Sequence, residues 1–417
     1  MRQVLRNYFF VLLGNGTAGV LSFLISILLS RSMSVEGFGV YSLFFTIMVL
    51  VWQIPAFIDS SYVRYARTAP PPEARDYLRV NLVFKVRAAV LILGSSPVIG
   101  FVLDRWIFPG KAAFGILVMA VAGGAFLTFL TSMTANFQAR ERFDLYALGN
   151  ISFYVAVLGV IAVLASRGTV LVPAAASVFL SAAAAAGIAA FLFLARRAWP
   201  LAPLNAAAAA RMLRLGRWIL YTGIFYVVLQ RIDMLFVGHY FPKSDIGVFA
   251  AASRLLSALT VFLNAAASIY LPKAAVAVGS RSAWRAYGRE ASLLTGLILI
   301  VMGGLVLLAP QLLTLLFGAR YAGAAGAMRT LFLGHLPHVL ALPVAYLLYG
   351  LEDSFSNFIG MALCLGVNIA VNVALTPRLG LLGPGWAFGA GYSVYLIYIL
   401  AAFFLRRDNR KRIAALR

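Results

Sequence analysis

The chain has 417 residues, of which 62% are hydrophobic and only 12% are charged, with a formal net charge of +22 at pH 7. So little polar surface cannot cover a soluble globule of this size, so the composition excludes a soluble protein and indicates a membrane protein. The positive charge would suggest nucleic acid in a soluble protein, but arginines beside anionic membrane lipids account for it, and we expect no nucleic-acid partner.

Apolar segments of about 20 residues recur along the chain, each long enough to cross a hydrocarbon core of roughly 30 Å as a helix. The pattern therefore predicts an all-α polytopic membrane protein. Its twelve predicted transmembrane helices span residues 7–30, 39–63, 80–103, 113–137, 146–165, 172–195, 217–240, 247–271, 290–309, 326–350, 355–376 and 385–405. The first helix is too long for a signal peptide and lacks a small-residue cleavage site, so we interpret it as an uncleaved span. Cys364 is the single cysteine, which excludes a disulfide.

Most of the 35 Lys and Arg residues lie at the termini and in alternate connections. By the positive-inside rule, both termini are therefore cytoplasmic. Lys85 and Arg87 are counted among the cytoplasmic basic residues of the connection after the second helix.

A short pattern returns in each half: SMSVEGFGVY at 32–41 joins helices one and two, and YFPKSDIGVF at 240–249 joins seven and eight. Because six is an even number, both halves enter from the same side, which indicates a parallel repeat of two six-helix lobes. The glycines of both stretches predict tight external turns, in which Glu36 and Asp245 are solvated. The predicted organisation is an N-terminal lobe (1–195), a basic cytoplasmic linker containing a short interfacial helix (196–216), a C-terminal lobe (217–405) and a basic cytoplasmic tail (406–417).

Three stretches resemble a known family: RSMSVEGFGVYSLFFTI at 31–47, DMLFVGHYFPKSDIGVFAAASRL at 233–255 and LLFGARYAGAAGAMRTL at 315–331. Their order and placement are similar to those of the polysaccharide-biosynthesis flippases of the multidrug/oligosaccharidyl-lipid/polysaccharide (MOP) exporter superfamily. The resemblance covers essentially the full chain and implies two six-helix lobes around a central cavity.

It also implies a function in cell-surface polysaccharide biosynthesis, for O-antigen, capsule or exopolysaccharide. The implied substrate is an undecaprenyl-pyrophosphate-linked oligosaccharide, flipped from the cytoplasmic to the periplasmic leaflet of the bacterial inner membrane. The expected partners are this lipid-linked oligosaccharide, anionic membrane lipids and, as candidates, a polysaccharide polymerase and chain-length proteins. No cofactor is expected.

Charges inside apolar spans are costly and are therefore candidates for function. Arg231 and Asp233 lie in helix seven and Arg254 in helix eight, at similar depths. The i, i+2 spacing points Asp233 away from Arg231, so Asp233 could pair with Arg254 while Arg231 faces the cavity. Contact of these three residues with substrate or ion, and a structural ion-pair network between the two helices, are equal alternatives.

Two histidines, His335 and His338, share a face of helix ten around Pro337. They could couple transport to protons, although hydrogen-bonded packing is favoured. No acidic ligand joins them at a suitable spacing, so we expect no metal site.

Amide side chains inside the spans are further candidates for binding sugar hydroxyls. Asn368 and Asn372 stand at i, i+4 in helix eleven, where hydrogen bonding between helices is the slightly favoured alternative. Asn15 and Gln53 are the deepest amides of the N-terminal lobe.

At the cytoplasmic mouth of helix two, Asp59 and Arg64 could meet the entering headgroup as gating residues. The favoured interpretation of these two residues is a solvated pair at the interface.

Two other functions are weighed against the flippase. A membrane glycan polymerase or ligase is disfavoured because the short external connections hold only Glu36, Asp104 and Asp245 as acids, without a catalytic motif. An ion-coupled drug or metabolite antiporter of the MATE type is the closer alternative. A cation exporter should present acids, whereas the intramembrane excess here is arginine, which favours an anionic substrate.

Overall fold

The computed structural model describes residues 2–198, 205–278, 280–351 and 353–405, and within these ranges it contains helices and no strand. The α-helices are α1 (Arg2–Ser32), α2 (Val35–Thr68), α3 (Pro71–Val102), α4 (Phe114–Ala139), α5 (Phe143–Ser166), α6 (Val172–Ala198), α7 (Ala206–Leu229), α8 (Ile232–Tyr240), α9 (Lys243–Ala277), α10 (Arg281–Leu307), α11 (Ala309–Phe317), α12 (Ala325–Gly334), α13 (Leu336–Gly350), α14 (Ser354–Leu379) and α15 (Gly383–Leu405). A π-helical turn, Leu103–Ile107, follows α3, and short 3₁₀ turns cover Ala319–Ala324 and Gly380–Leu382.

The all-α prediction is confirmed, and helices cover every one of the twelve predicted spans. Nine stretches of the described chain are long and apolar enough to cross a membrane, and they correspond to predicted spans one to six and nine to twelve. The ninth stretch, Ser354–Leu405, contains both α14 and α15. The chain is therefore a multi-pass membrane protein.

The chain divides into two compact units. The first unit comprises residues up to Arg231 together with Pro242–Gly247. In it, α4 packs against α2, α3 and α6, while α1 packs against α5. Small residues allow this close packing: a methyl group added at Gly124 would lie 2.6 Å from Cβ of Val51 on α2, and one at Gly14 would lie 2.7 Å from Cα of Ala147 on α5.

The second unit comprises Ile232–Phe241 and the residues from Val248 onwards. Here α15 packs along α14 and also contacts α12 and α13. Gly391 lets α15 approach α14, since a methyl group there would come within 2.8 Å of the Cys364 carbonyl oxygen. Cys364 itself is buried and unoxidised, as expected of a small apolar side chain.

The glycines of the repeated stretch do not form turns, which corrects the prediction made from them. Ser34 caps α2 by accepting a hydrogen bond from the Gly37 amide at 3.0 Å, so Gly37 and Gly39 already lie within the helix. Gly247 lies within α9, in the part of that helix that belongs to the first unit. A methyl group on Gly39 would lie 2.8 Å from the Gly247 amide nitrogen, so both glycines serve the close approach of two helices.

The predicted linker differs from the structure at both ends. α6 continues to Ala198, and α7 begins at Ala206 without a separate interfacial helix, capped by Asn205. Residues 199–204 and the predicted tail, 406–417, lie outside the described residues. The lobe boundaries at 195 and 217 stay predictions, although α7 groups with the first unit.

Candidate functional site

A buried ion pair joins α2 to α3 inside the first unit. Lys85 Nζ lies 2.9 Å from Oδ2 of Asp59, and both residues are buried. Asn81 Nδ2 and Ser132 Oγ donate to the other carboxylate oxygen at 2.8 and 3.2 Å, and Lys85 also donates to Thr131 Oγ1 at 3.1 Å. These bonds replace the water that both charges lose and tie three helices together, because Ser132 and Thr131 belong to α4.

This arrangement corrects two interpretations made from the sequence. Asp59 is not solvated, and Lys85 is not a charge of the cytoplasmic loop but a fully buried partner. Arg64 is exposed and lies five residues after Asp59, which places it on a different face of α2. The gating role of Asp59 and Arg64 stays a prediction.

The polar contact between α2 and α4 continues for one further turn. Tyr62 follows Asp59 at i+3 and Asn136 follows Ser132 at i+4, and Asn136 Nδ2 donates to the Tyr62 hydroxyl at 2.6 Å. All four side chains are buried. The sequence does carry a signal for this polar seam, namely the polar residues spaced i, i+3 or i, i+4 in otherwise apolar helices.

The two candidate amides of the first unit lie on different helices. Oδ1 of Asn15 on α1 accepts hydrogen bonds from the Tyr146 hydroxyl and from Asn150 Nδ2 on α5, both at 3.1 Å. Gln53 is half-buried on α2. Asn15 therefore has a structural contact of its own, and substrate binding by either amide stays a prediction.

Helix seven is broken, where the sequence predicts one continuous helix over 217–240. α7 ends at Leu229 and α8 begins at Ile232, so Arg231 stands in the break. Its backbone amide donates to the Val228 carbonyl at 3.0 Å. This bond spans three residues, as in a turn, and not the four residues of an α-helix. Apolar periodicity could not reveal the break because no proline or glycine marks it. Discontinuous helices of this kind hold the substrate sites of many transporters.

Asp233 and Arg254 both belong to the second unit. Asp233 is buried in the first turn of α8, where the positive end of the helix dipole stabilises its charge. Arg254 is half-buried on α9. Their pairing with each other stays a prediction.

A second break brings the two histidines to one aromatic cluster. α12 ends before His335 and α13 begins at Leu336. The rings of His335 and His338 lie 5.2 and 4.4 Å from the Tyr392 ring on α15, which confirms that they share a face. His335 Nδ1 also lies 2.8 Å from the Leu331 carbonyl oxygen, whereas His338 Nδ1 is buried without a hydrogen-bond partner. Within the described ranges, no group of three acidic, His or Cys residues is placed to hold a metal ion.

The candidate amides of α14 bond along their own helix. Asn372 Nδ2 donates to Oδ1 of Asn368 at 3.0 Å, and Thr376 donates to Oδ1 of Asn372 at 2.8 Å. The described bonds of this ladder are therefore intrahelical, which differs from the favoured interhelical interpretation. All three residues are buried, and Asn368 Nδ2 has no hydrogen-bond partner, so it keeps a donor available.

A polar contact between helices is instead made by Asn357, which the sequence analysis did not single out. Its Nδ2 donates to the Ala345 carbonyl of α13 at 3.1 Å, and its Oδ1 accepts from the Tyr395 hydroxyl of α15 at 3.1 Å. The second unit thus has a buried polar core across α13, α14 and α15.

Comparison with known proteins places this geometry in context. Residues 4–273 match the family described as "Polysaccharide biosynthesis protein". No protein of curated function matches the sequence.

Three solved structures share the fold. A multidrug resistance MATE family transporter of the MOP superfamily, in an inward-facing conformation, is 16% identical with a TM-score of 0.72, over 96% of this chain and 95% of that one. The lipid II flippase MurJ, in an inward closed conformation, is 12% identical with a TM-score of 0.75, over 98% and 91%. A MOP superfamily transporter from Pyrococcus furiosus is 16% identical with a TM-score of 0.67, over 99% and 96%. The chain has the two-lobe fold of MOP transporters.

Proposed function

Because the chain belongs to the family of polysaccharide biosynthesis proteins, we propose that it is a flippase for undecaprenyl-pyrophosphate-linked oligosaccharides. It moves them from the cytoplasmic to the periplasmic leaflet of a bacterial inner membrane, for the synthesis of cell-surface polysaccharide. The observation that carries the proposal is the match to this family over residues 4–273, in a chain whose fold is that of transporters.

The chemistry of such a substrate fits the charges inside the spans. A glycan and a pyrophosphate lose their hydration in the membrane unless the protein supplies cations and amides. Arg231, in the break between α7 and α8, and Arg254, on α9, outnumber the acid Asp233 in this part of the chain. In the proposed mechanism the two arginines neutralise the pyrophosphate. Candidate partners of the glycan hydroxyls are Asn15, Gln53, Asn368 and Asn372.

Transport follows alternating access, in which the two lobes expose the substrate first to one leaflet and then to the other. An ion gradient drives the cycle, with Asp233, His335 and His338 as coupling candidates and Asp59 and Arg64 as gating candidates. A polysaccharide polymerase and chain-length proteins would receive the translocated unit.

The experiment is complementation of a strain that lacks the gene. The wild-type chain should restore surface polysaccharide, whereas Arg231→Ala and Arg254→Ala should restore less than about a tenth of it, because each leaves pyrophosphate charge uncompensated in the membrane. In the strains that carry either arginine variant, lipid-linked oligosaccharide should accumulate on the cytoplasmic leaflet. Arg167→Ala, at an exposed helix end, is the matched control and should complement fully.

Membrane insertion of each variant is checked by immunoblotting of membrane fractions. Normal surface polysaccharide in both arginine variants would contradict the proposed role of these arginines. Unchanged polysaccharide in the deletion strain, together with increased sensitivity to cationic drugs, would establish the MATE-type antiporter instead.

A further inference from the structure

A groove of about 430 Å³ lies between α10 and α13 in the second unit. Its floor on α10 includes Gly288, Ser292 and Gly296, which repeat at i, i+4 and i+8 and therefore share one face. Pro343 and Leu347 of α13 form the opposite wall. The volume lies within the range of about 300–1,000 Å³ that is typical of small-molecule sites.

The three floor positions, Gly288, Ser292 and Gly296, carry small side chains or none. A methyl group added at Gly288 or Gly296 would meet nothing within 4 Å. The helices on either side are held together at one end of the groove, where the buried Tyr287 hydroxyl donates to the Pro343 carbonyl at 2.7 Å. A hydrogen bond between the two helices therefore bounds the groove at this end.

The surroundings of the groove are those of a surface that faces hydrocarbon. α10 is a candidate membrane span, and only 17% of its most apolar stretch is buried. Leu293, Leu297 and Ile300 on the same helix are all more than half exposed. A groove in such a surface is filled by a lipid chain rather than by water.

Positive charges stand at the end of α10 that begins the groove. Arg281 and Arg285 are exposed and lie at i, i+4 on the first turns of α10, adjoining the face that carries Gly288 and Ser292. Glu290 is held by Lys273, and no described carboxylate forms a salt bridge with either arginine. The helix N-terminus adds to the positive potential.

Trp284 lies between Arg281 and Arg285 in the chain and lines the groove, and its ring stacks on Phe403 with 5.9 Å between centroids. Tryptophan prefers the boundary between headgroups and hydrocarbon. The first turns of α10 therefore hold the cationic and interfacial side chains, and the small residues of the groove follow them, as the acyl chain of a lipid follows its phosphate.

We propose that this groove is a specific site for one anionic phospholipid of the membrane. An acyl chain lies along Gly288, Ser292 and Gly296, and the phosphate group binds Arg281 and Arg285. The site is separate from cargo transport and is defined by the second unit alone.

The test measures lipid binding to the purified full-length protein by native mass spectrometry, with phosphatidylglycerol and phosphatidylcholine that carry identical chains. The wild-type protein should bind its first phosphatidylglycerol more tightly than phosphatidylcholine. Arg281→Gln and Arg285→Gln should each weaken phosphatidylglycerol binding about fivefold, since one arginine near anionic lipid contributes about that factor. Binding of phosphatidylcholine should not change.

Gly288→Leu should abolish this first site for both lipids by filling the groove. Ser292→Leu, also in the floor, serves the same purpose if Gly288→Leu does not fold. Gly304→Leu is the matched control, because a methyl group there also meets nothing within 4 Å and Gly304 lies outside the groove. It should bind both lipids as the wild type does.

Equal binding of the two lipids by the wild type would overturn the proposal, as would unchanged first-site binding in a groove-filled variant that folds. A third arm adds polyprenyl phosphate as a competitor. If it displaces phosphatidylglycerol at a lower concentration than phosphatidylglycerol itself requires, the groove holds the lipid of the cargo and the proposal is wrong.

Discussion

At the scale of single residues, the stability of a buried charge in this protein depends on the side chain that faces it from the neighbouring helix. Lys85 is fully buried, and Asp59 together with Thr131 supplies its described partners. Either charge alone would lose its hydration without compensation. The pair persists because every bond of the carboxylate goes to a donor on α3 or α4.

We therefore predict a strong coupling between Asp59 and Lys85 in stability. Asp59→Asn or Lys85→Met should each lower the free energy of unfolding by about 3–5 kcal/mol, because each leaves the opposite charge buried and alone. The double variant should recover most of this loss. Unfolding of the three variants and the wild type in detergent gives the coupling energy as a double-mutant cycle.

Losses that simply add in the double variant would show that the pair is solvated or unformed. Arg67→Ala is a useful comparison, since the Arg67–Glu141 pair is exposed at 2.7 Å and should contribute less than about 1 kcal/mol.

At the scale of helices, glycines and breaks matter more than periodicity. Gly39 and Gly247 allow one helix backbone to approach another. Arg231 stands where helix seven is interrupted, and His335 where helix ten is interrupted. At both interruptions a candidate polar residue lies where the α-helical hydrogen bonding of the backbone is broken. Many transporters form their binding sites within the membrane at such broken helices.

A bulkier residue at the glycine contact should separate these helices. Gly39→Val should lower the free energy of unfolding by about 1–3 kcal/mol or more, because the added methyl groups meet backbone that cannot move aside. Thermal unfolding in detergent measures the effect. Gly19→Val on α1 is the control with the same change of side chain, since a methyl group at Gly19 meets nothing within 4 Å.

Equal stability of these two glycine variants would refute the close-packing role. Gly37→Val is a second comparison, because a methyl group at Gly37 comes no closer than 3.2 Å to its nearest neighbour, the Ser34 hydroxyl oxygen. If the glycines served a turn and not close packing, Gly37→Val would destabilise the protein as much as Gly39→Val does.

At the scale of the whole molecule, the chain is a two-unit assembly of helices with the fold of MOP transporters. Its orientation in the membrane is predicted by the unequal distribution of Lys and Arg among the connections. An even number of spans then places both termini on the side that is rich in these residues.

Reporter fusions test this orientation. Green fluorescent protein fused to the C-terminus of the full chain should fluoresce, and alkaline phosphatase at the same position should be inactive, because that end is predicted to be cytoplasmic. Phosphatase fused after Gly380, between α14 and α15, should be active. The opposite pattern would invert the predicted topology.

Composition and hydropathy were sufficient to predict the helical membrane class and the positions of the helices, because the bilayer demands a long apolar segment for every crossing. The family was also within reach, through short stretches whose order persists at low identity. Boundaries were less predictable: α7 begins before the expected position, and helix seven has a break that no proline or glycine marks.

The partners of polar side chains could not be predicted, because they lie on helices that are distant in sequence. Asp59 forms an ion pair with Lys85 and is not solvated, and Asn372 bonds along its own helix. Asn357, which no sequence pattern indicated, forms hydrogen bonds with α13 and α15. The sequence by itself determined that the chain crosses the membrane as many helices, since this follows from local hydrophobicity. Only the tertiary structure decided which buried charges are compensated and which surfaces leave a groove, since both depend on contacts between helices.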